Sequence, residues 1–341
     1  MHSHRSAQKS IVAIMGGESL LGKEVHDLLE SSGLPASIQL IAADESDDTA
    51  IISRSDDEPI LIQALQMADL GSARVLILAG SPESSRKAFD RIHNTSPAPA
   101  VIDLNGGLED NPETRLRAPM VEPQGFQTTG AVQEIAHPAA AALALFFTQL
   151  RHVGPISRSV VEIFEPVSER GQAGIEELQK QAVSLLSFKP LPKAIFDAQV
   201  SFNMLSQYGS EAPHSLESVE LKIDRHLASL LAATGAVPMP SLRLIQAPVF
   251  HGYSISAWVE FEKNPGTEAI VEALKAGRRI DVRTKDEEPP TNVGVAGQDG
   301  IAVGGISPDP NNPRAMWFWV VADNLRLAAE NALEVAREFL K

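Results

Sequence analysis

The sequence predicts an α/β fold in two parts, a doubly wound parallel-sheet domain and a second part with a mixed sheet and helices on one face. Three observations carry this. A buried-strand run, Ser10 to Met15, meets a glycine turn and then a helical repeat, the opening of a doubly wound unit. Strand and helix patterns alternate from there to Leu104. After Pro138 the pattern changes to an alanine-rich helix and long alternating strands.

In chain order, Gly16 and Gly17 end the first strand, and Gly22 to Ser31 has the helical spacing Val25, Leu28, Leu29. Ile38 to Ala43 reads as a second strand followed by an acidic turn from Asp44 to Asp48. Arg74 to Ala79 is a third, followed by Gly80-Ser81-Pro82 and a helix from Ser84 to His93. Ala100 to Leu104 is another strand, closed by Asn105-Gly106-Gly107. In the second part, Ala139 to Leu150 is a helix. Strands are expected at Ser159 to Phe164, Ser241 to Phe250, Tyr253 to Phe261 and Ala315 to Val321, with helices at Gly174 to Leu186 and Ser215 to Leu231. Asn264-Pro265-Gly266 and Asp309 to Pro313 read as surface loops, and Leu325 to Leu340 as a final amphipathic helix. Residues 1–10 are polar and read as a disordered tail.

Composition narrows the function. The 341 residues hold 29 basic against 44 acidic side chains, a formal charge of −15. Such a surface repels nucleic acid and anionic lipid. No run of about 18 apolar residues suggests a membrane span, and with no export signal the cytoplasm is the expected compartment. Cysteine is absent, which removes disulfides, thiolate metal sites and a thiol nucleophile. No metal site is expected.

Six segments in order resemble the aspartate-semialdehyde dehydrogenase family over nearly the whole chain. They are Val101-Ile102-Asp103, Ala136-His137-Pro138, Gly174-Ile175-Glu176-Glu177-Leu178, Ser201-Phe202-Asn203-Met204-Leu205, the stretch from Ala247 to Ser254, and Trp319-Val320-Val321-Ala322-Asp323-Asn324-Leu325-Arg326. The resemblance implies a Rossmann-type NAD(P)-binding domain over residues 11–133 and 322–341. It also implies an inserted catalytic and dimerisation domain of the glyceraldehyde-3-phosphate-dehydrogenase-like kind over 134–321.

The same resemblance assigns the catalytic positions, and this chain departs from the family at each. The family reaction passes through an enzyme thioester, which needs a thiolate and a general base. The nucleophile position is Ala140, flanked by Ala139, Ala141 and Ala142. The active-site glutamine becomes Glu165, either a base in a cleft or a solvated strand-end residue. The catalytic histidine becomes Tyr253. His251, two residues earlier on the same expected strand, would replace it only if the strand slipped. The substrate-binding arginine becomes Gln246, which lacks charge-assisted bidentate pairing.

The anion sites change in one direction. The phosphate-binding arginine becomes Glu109. The dinucleotide loop, Gly16-Gly17-Glu18-Ser19-Leu20-Leu21-Gly22, keeps Gly16 and Gly22 but places Glu18 and Ser19 where a small hydroxyl residue and a glycine are usual. A carboxylate competes for the N–H groups that a pyrophosphate would use. Asn324 matches an asparagine near the nicotinamide, although a helix cap explains it better. Ala328 and Ala329 stand at family glycines. The expectation is a catalytically inactive, dimerising or regulatory homologue with no cofactor, although the family resemblance implies NADP or NAD. It would be a homodimer or, with an intact paralogue, a heterodimer. The alternatives are altered chemistry at Glu165 and an ordinary semialdehyde oxidoreductase.

Overall fold

The computed structural model describes residues 10–43, 51–55, 58–92, 95–123, 126, 130–235 and 237–340. The expected tail up to residue 9 and the acidic turn Asp44, Glu45, Asp47 and Asp48 lie outside the described residues. The chain divides into two compact units: Met1–Pro119 with Phe126–Ile135 and Ala328–Lys341, and Met120–Gly125 with Ala136–Leu327.

The first unit holds β1 (Ser10–Met15), α1 (Leu20–Ser31), β2 (Ala36–Ile41), β3 (Ile51–Ser55), β4 (Glu58–Gln63), β5 (Val75–Leu78), α2 (Pro82–Ile92), β6 (Ala100–Asp103), β7 (Thr114–Arg117) and β8 (Val132–Ile135). Its eight-stranded sheet runs β3-β4-β2-β1-β5-β6-β8-β7. All its pairs are parallel except β3 with β4. Val12 to Met15 are wholly buried, as a central parallel strand covered on both faces must be. The turn after β1 needs glycine: Gly16 has φ +83°, and a Cβ there would sit 2.4 Å from Gly80 Cα.

The chain returns to this unit at Ala328, within the last helix, α7 (Asn324–Phe339). Ala329, Ala332, Leu333 and Ala336 pack in the apolar core with Val12, Ile14 and Ile77. Arg117 on β7 is wholly buried and pairs with both oxygens of Glu338, Nη2 to Oε1 at 2.8 Å and Nη1 to Oε2 at 3.2 Å. The guanidinium also reaches Gln133 Oε1 at 3.1 Å.

The second unit holds α3 (Pro138–Leu150), β9 (Ile156–Glu165), α4 (Gly171–Leu186), α5 (Leu216–Thr234), β10 (Ser241–Gln246), β11 (Tyr253–Phe261), α6 (Thr267–Ala276), β12 (Ile280–Val282), β13 (Ile301–Asp309) and β14 (Asn312–Ala322). The sheet order is β10-β9-β11-β14-β13-β12. The β9–β10 and β12–β13 pairs are parallel and the others antiparallel. Phe318 packs edge-on against Phe146 of α3, ring centroids 5.1 Å apart, so α3 covers that face of the sheet. The opposite face carries a cross-strand row, Val160–Trp258–Trp317. Val160 and Trp317 on it are 47% and 41% exposed.

Three expectations are corrected here. The surface loop expected over Asp309 to Pro313 is narrower, since β13 runs to Asp309 and β14 starts at Asn312. β10 stops at Gln246, not Phe250, and His251 lies off the strand because Gly252 at φ +82° turns the chain before β11. A one-pair slip therefore cannot place His251 where Tyr253 lies. Among the described residues no helix is long and apolar enough to cross a membrane.

Candidate functional site

In the second unit, β9 ends at Glu165 and the chain makes a short 3-10 turn, Val167–Arg170. Gly171 at φ +63° then admits the chain into α4. The turn is pinned by Val167 N–H to Val249 O (2.9 Å) and Ser168 N–H to Phe250 O (3.0 Å). Glu165, Glu169 and Arg170 are thereby held close together. In the parallel register Gln246 sits beside Glu165, and neighbours in register share a face. Both side chains are wholly buried.

Their partners come from the turn and from the long segment before α5. Glu165 Oε1 accepts from Arg170 Nη2 at 2.6 Å and lies 3.1 Å from the Tyr208 hydroxyl. Gln246 Nε2 donates to the carbonyls of Glu165 (2.8 Å) and Ala247 (3.0 Å). The segment carrying Tyr208 is clamped to α4. Glu177 Oε2 accepts from Ile195 N–H at 2.8 Å, and Gln181 Oε1 from Val200 N–H at 2.8 Å. Phe196, anchored this way, stacks edge-on against Tyr208. Glu165 is thus not a solvated strand-end residue. It sits in a buried polar cluster.

Asn324 is buried and spends its amide here. Its Oδ1 accepts from Gly252 N–H at 3.0 Å and its Nδ2 donates to Glu169 Oε1 at 2.8 Å. It does not cap α7. Asp323 does, its Oδ1 accepting from the N–H groups of Leu325 and Arg326 at 3.0 and 3.1 Å. His137 caps α3, Nδ1 accepting from Ala139 N–H at 3.3 Å, and its backbone N–H donates to His226 Nδ1 at 3.0 Å. Ala140 follows in the first turn of α3 and is wholly buried, as are Ala139 and Ala141 to Ala144.

Burial dominates the electrostatics. It pushes Glu169 up to about 7, with the Glu165 charge adding to the shift, while Arg170 and the Asn324 bond oppose it. Burial holds His137 well below the usual imidazole value, with Lys222 nearby pushing the same way. It also raises the Tyr253 phenol well above its ordinary value, reinforced by Glu169. For Arg170, burial alone would lower the value, but the Glu165 charge outweighs it and the group is held above its ordinary range. Of these shifted groups, burial brings Glu169 to about 7, and the sequence did not single it out. Arg170 and Tyr208 were also missed.

In the first unit, the glycine turn uses its own donors. Gly16 and Gly17 N–H groups go to Ile41 O (2.7 and 3.0 Å) and Ser19 N–H to Gly16 O (3.0 Å). Gly22 N–H goes to Ser19 Oγ at 2.9 Å. Glu18 Oε1 accepts from Ala43 N–H at 2.7 Å. Gly22 is required by packing, since a Cβ there would meet Gly16 O at 2.1 Å. The loop after β6 is similarly spent: Leu108 N–H goes to Asp103 Oδ2 at 2.7 Å, Gly107 N–H to Asn105 Oδ1 at 3.0 Å and Glu109 N–H to Gly106 O at 3.4 Å. In both loops, then, the N–H groups named are used within the chain.

A doubly wound α/β unit with an α+β unit inserted before its last helix defines the class, a two-domain architecture of the dehydrogenase type. Residues 149–327 match the model of the semialdehyde dehydrogenase dimerisation domain. The chain belongs to the semialdehyde dehydrogenase family. It is 25% identical to a USG-1 protein homolog of Azotobacter vinelandii over 97% of each chain. It is 27% identical to an aspartate-semialdehyde dehydrogenase of Rickettsia bellii over 98% of each. The solved structure of a probable aspartate-semialdehyde dehydrogenase from Pseudomonas aeruginosa superposes with a TM-score of 0.84 at 26% identity, over 98% of this chain and 99% of that one.

Proposed function

We propose that this chain is a family member without thioester chemistry, retained as a dimerising or regulatory subunit. One observation carries the reading: the nucleophile position, Ala140, is a wholly buried methyl among buried alanines, and a methyl cannot attack a carbonyl. The partners of Glu165 and Gln246 support it, because Arg170, Tyr208 and backbone carbonyls already use the groups a substrate would need. The spent donors of the glycine turn support weak dinucleotide binding or none, with NAD favoured over NADP if either binds. The test is phosphate-dependent reduction of NADP with aspartate semialdehyde by purified protein. No turnover above blank is expected, and robust turnover with host enzyme excluded overturns the reading.

The open face of the second sheet supports a homodimer, with a heterodimer with an intact paralogue as the other assembly. A single chain leaves the Val160–Trp258–Trp317 row facing water, and exposed apolar patches of this kind mark interfaces. Light scattering should give twice 36.6 kDa in low and high salt. A second reading, altered acid–base chemistry, is favoured by Glu169 at about 7, and its base would be Glu169 rather than the tied Glu165.

A further inference from the structure

Two buried polar atoms of this cluster have no hydrogen-bond partner in the chain: Glu165 Oε2 and the Tyr253 hydroxyl. Both side chains are wholly shielded from solvent. A bare buried polar group costs about 1–3 kcal/mol, and more when charged, so the Glu165 oxygen above all marks a place where another group belongs. The third member is Glu169. Its Oε1 is held by Asn324, while its Oε2 faces His137 Nε2 at 3.9 Å, beyond hydrogen-bond length. The Tyr253 hydroxyl lies within electrostatic reach of both carboxylates and beside Glu169, to which it can give its proton while its lone pairs stay free to accept.

We propose that these three groups form a binding site for a small ammonium ion, NH4+ or a primary ammonium, with Glu165 Oε2, Glu169 Oε2 and the Tyr253 oxygen as its acceptors. An ammonium group brings three or more N–H donors and one positive charge. The charge is what the cluster lacks, because two carboxylates share one guanidinium, Arg170. A bound water would satisfy the acceptors but leave the charge uncompensated. A divalent metal suits the site poorly. His137 Nδ1 already accepts a backbone N–H, so the proton of the neutral ring sits on Nε2 and that nitrogen cannot ligate. Arg170 would also repel a doubly charged ion. The groups bearing on the site from the surrounding elements are Arg170 and Glu165 from the turn, His137 from the start of α3, Lys222 and His226 from α5, Tyr253 from β11, and Tyr208 and His214 from the segment before α5. A proton on Glu169 does the same work as the ion, so the two compete. The inference stands apart from the loss of thioester chemistry, since turnover would not bear on it.

The test is thermal unfolding of the full chain in ammonium chloride against equal sodium chloride, at about pH 8.5 and about pH 6. At the higher pH the Tm should be about 2–4 °C higher in ammonium, with little difference at the lower pH, where the proton holds the site. Glu169→Gln should remove the difference, and Tyr253→Phe should shrink it, which keeps the test intact if the first variant does not fold. Equal Tm in both salts at the higher pH, as a site filled by water would give, overturns the proposal. So does an ammonium effect undiminished in both variants.

Discussion

Tyr208 donates its hydroxyl to Gln246 Oε1 across 2.6 Å, although the two residues are 38 positions apart. The geometry leaves Gln246 no choice. Its NH2 group is fixed by two backbone carbonyls, so its oxygen must face the phenol. The same phenol lies 3.1 Å from Glu165 Oε1 and has one proton for two acceptors. Arg170 makes up the deficit at Glu165.

Tyr208→Phe should therefore destabilise the second unit by about 1–3 kcal/mol, because it leaves Gln246 Oε1 buried and bare. Arg170→Met should cost more, about 3–5 kcal/mol, by leaving a buried carboxylate without its cation. Urea unfolding of the two variants checks the order. A Tyr208→Phe protein as stable as the parent would mean that the phenol only fills space.

The pH dependence of stability should carry the signature of Glu169. Its pKa rises from 4.5 to about 7 on folding, so between these values the folded state holds a proton that the unfolded state has lost. Stability from this group is therefore full below about pH 4.5 and is lost as pH rises to about 7, by at most about 3 kcal/mol. His137, lowered on folding, acts in the opposite sense below about pH 6.5. Comparing Glu169→Gln with the parent isolates the first effect: the variant should lack the decline between about pH 4.5 and 7. Parallel curves for the two proteins would contradict the assignment.

Ala140→Cys should restore no dehydrogenase activity, because groups that act as a unit fail together and Gln246, Tyr253 and Glu109 remain. The parent has no cysteine, so the variant carries a single reporter thiol. At a wholly buried position it should react with a thiol reagent only on unfolding, and overpacking should cost about 1–3 kcal/mol. Rapid labelling of the folded variant would show an open site.

NADP should bind more weakly than about millimolar. Glu18→Ser should not repair this, because Ser19 would still hold Gly22 N–H. Calorimetry giving micromolar NADP affinity for the parent would refute the argument from the spent donors.

Elements with one clean period were legible from sequence. The run Ser10–Met15 gave a strand with correct ends, since it is apolar throughout and stops at a required glycine. Elements that mix signals were not. β7 reads Thr-Arg-Leu-Arg, and one of its arginines is wholly buried. β13 has Gly304 and Gly305 at its centre. Asp323 and Asn324 are adjacent good caps, and only the geometry assigns the cap to Asp323 and the buried bonds to Asn324. In the site, Glu165, Gln246 and Tyr253 were found because they align with catalytic positions of the family. Tyr208 was not found, because the segment around it follows neither helical nor strand periodicity and is placed by Glu177 and Gln181 instead.

The buried Arg117–Glu338 pair bears on how the chain is made. Residues 10–135 supply the whole first sheet, yet a carboxylate that pairs with its buried Arg117 lies in the last helix and leaves the ribosome 221 residues after it. Until then the nascent sheet holds a buried guanidinium short of one carboxylate partner, which weakens it. The first unit is thus the first to be translated and the last to be finished, and a chain cut short before residue 338 should be less stable and more readily degraded.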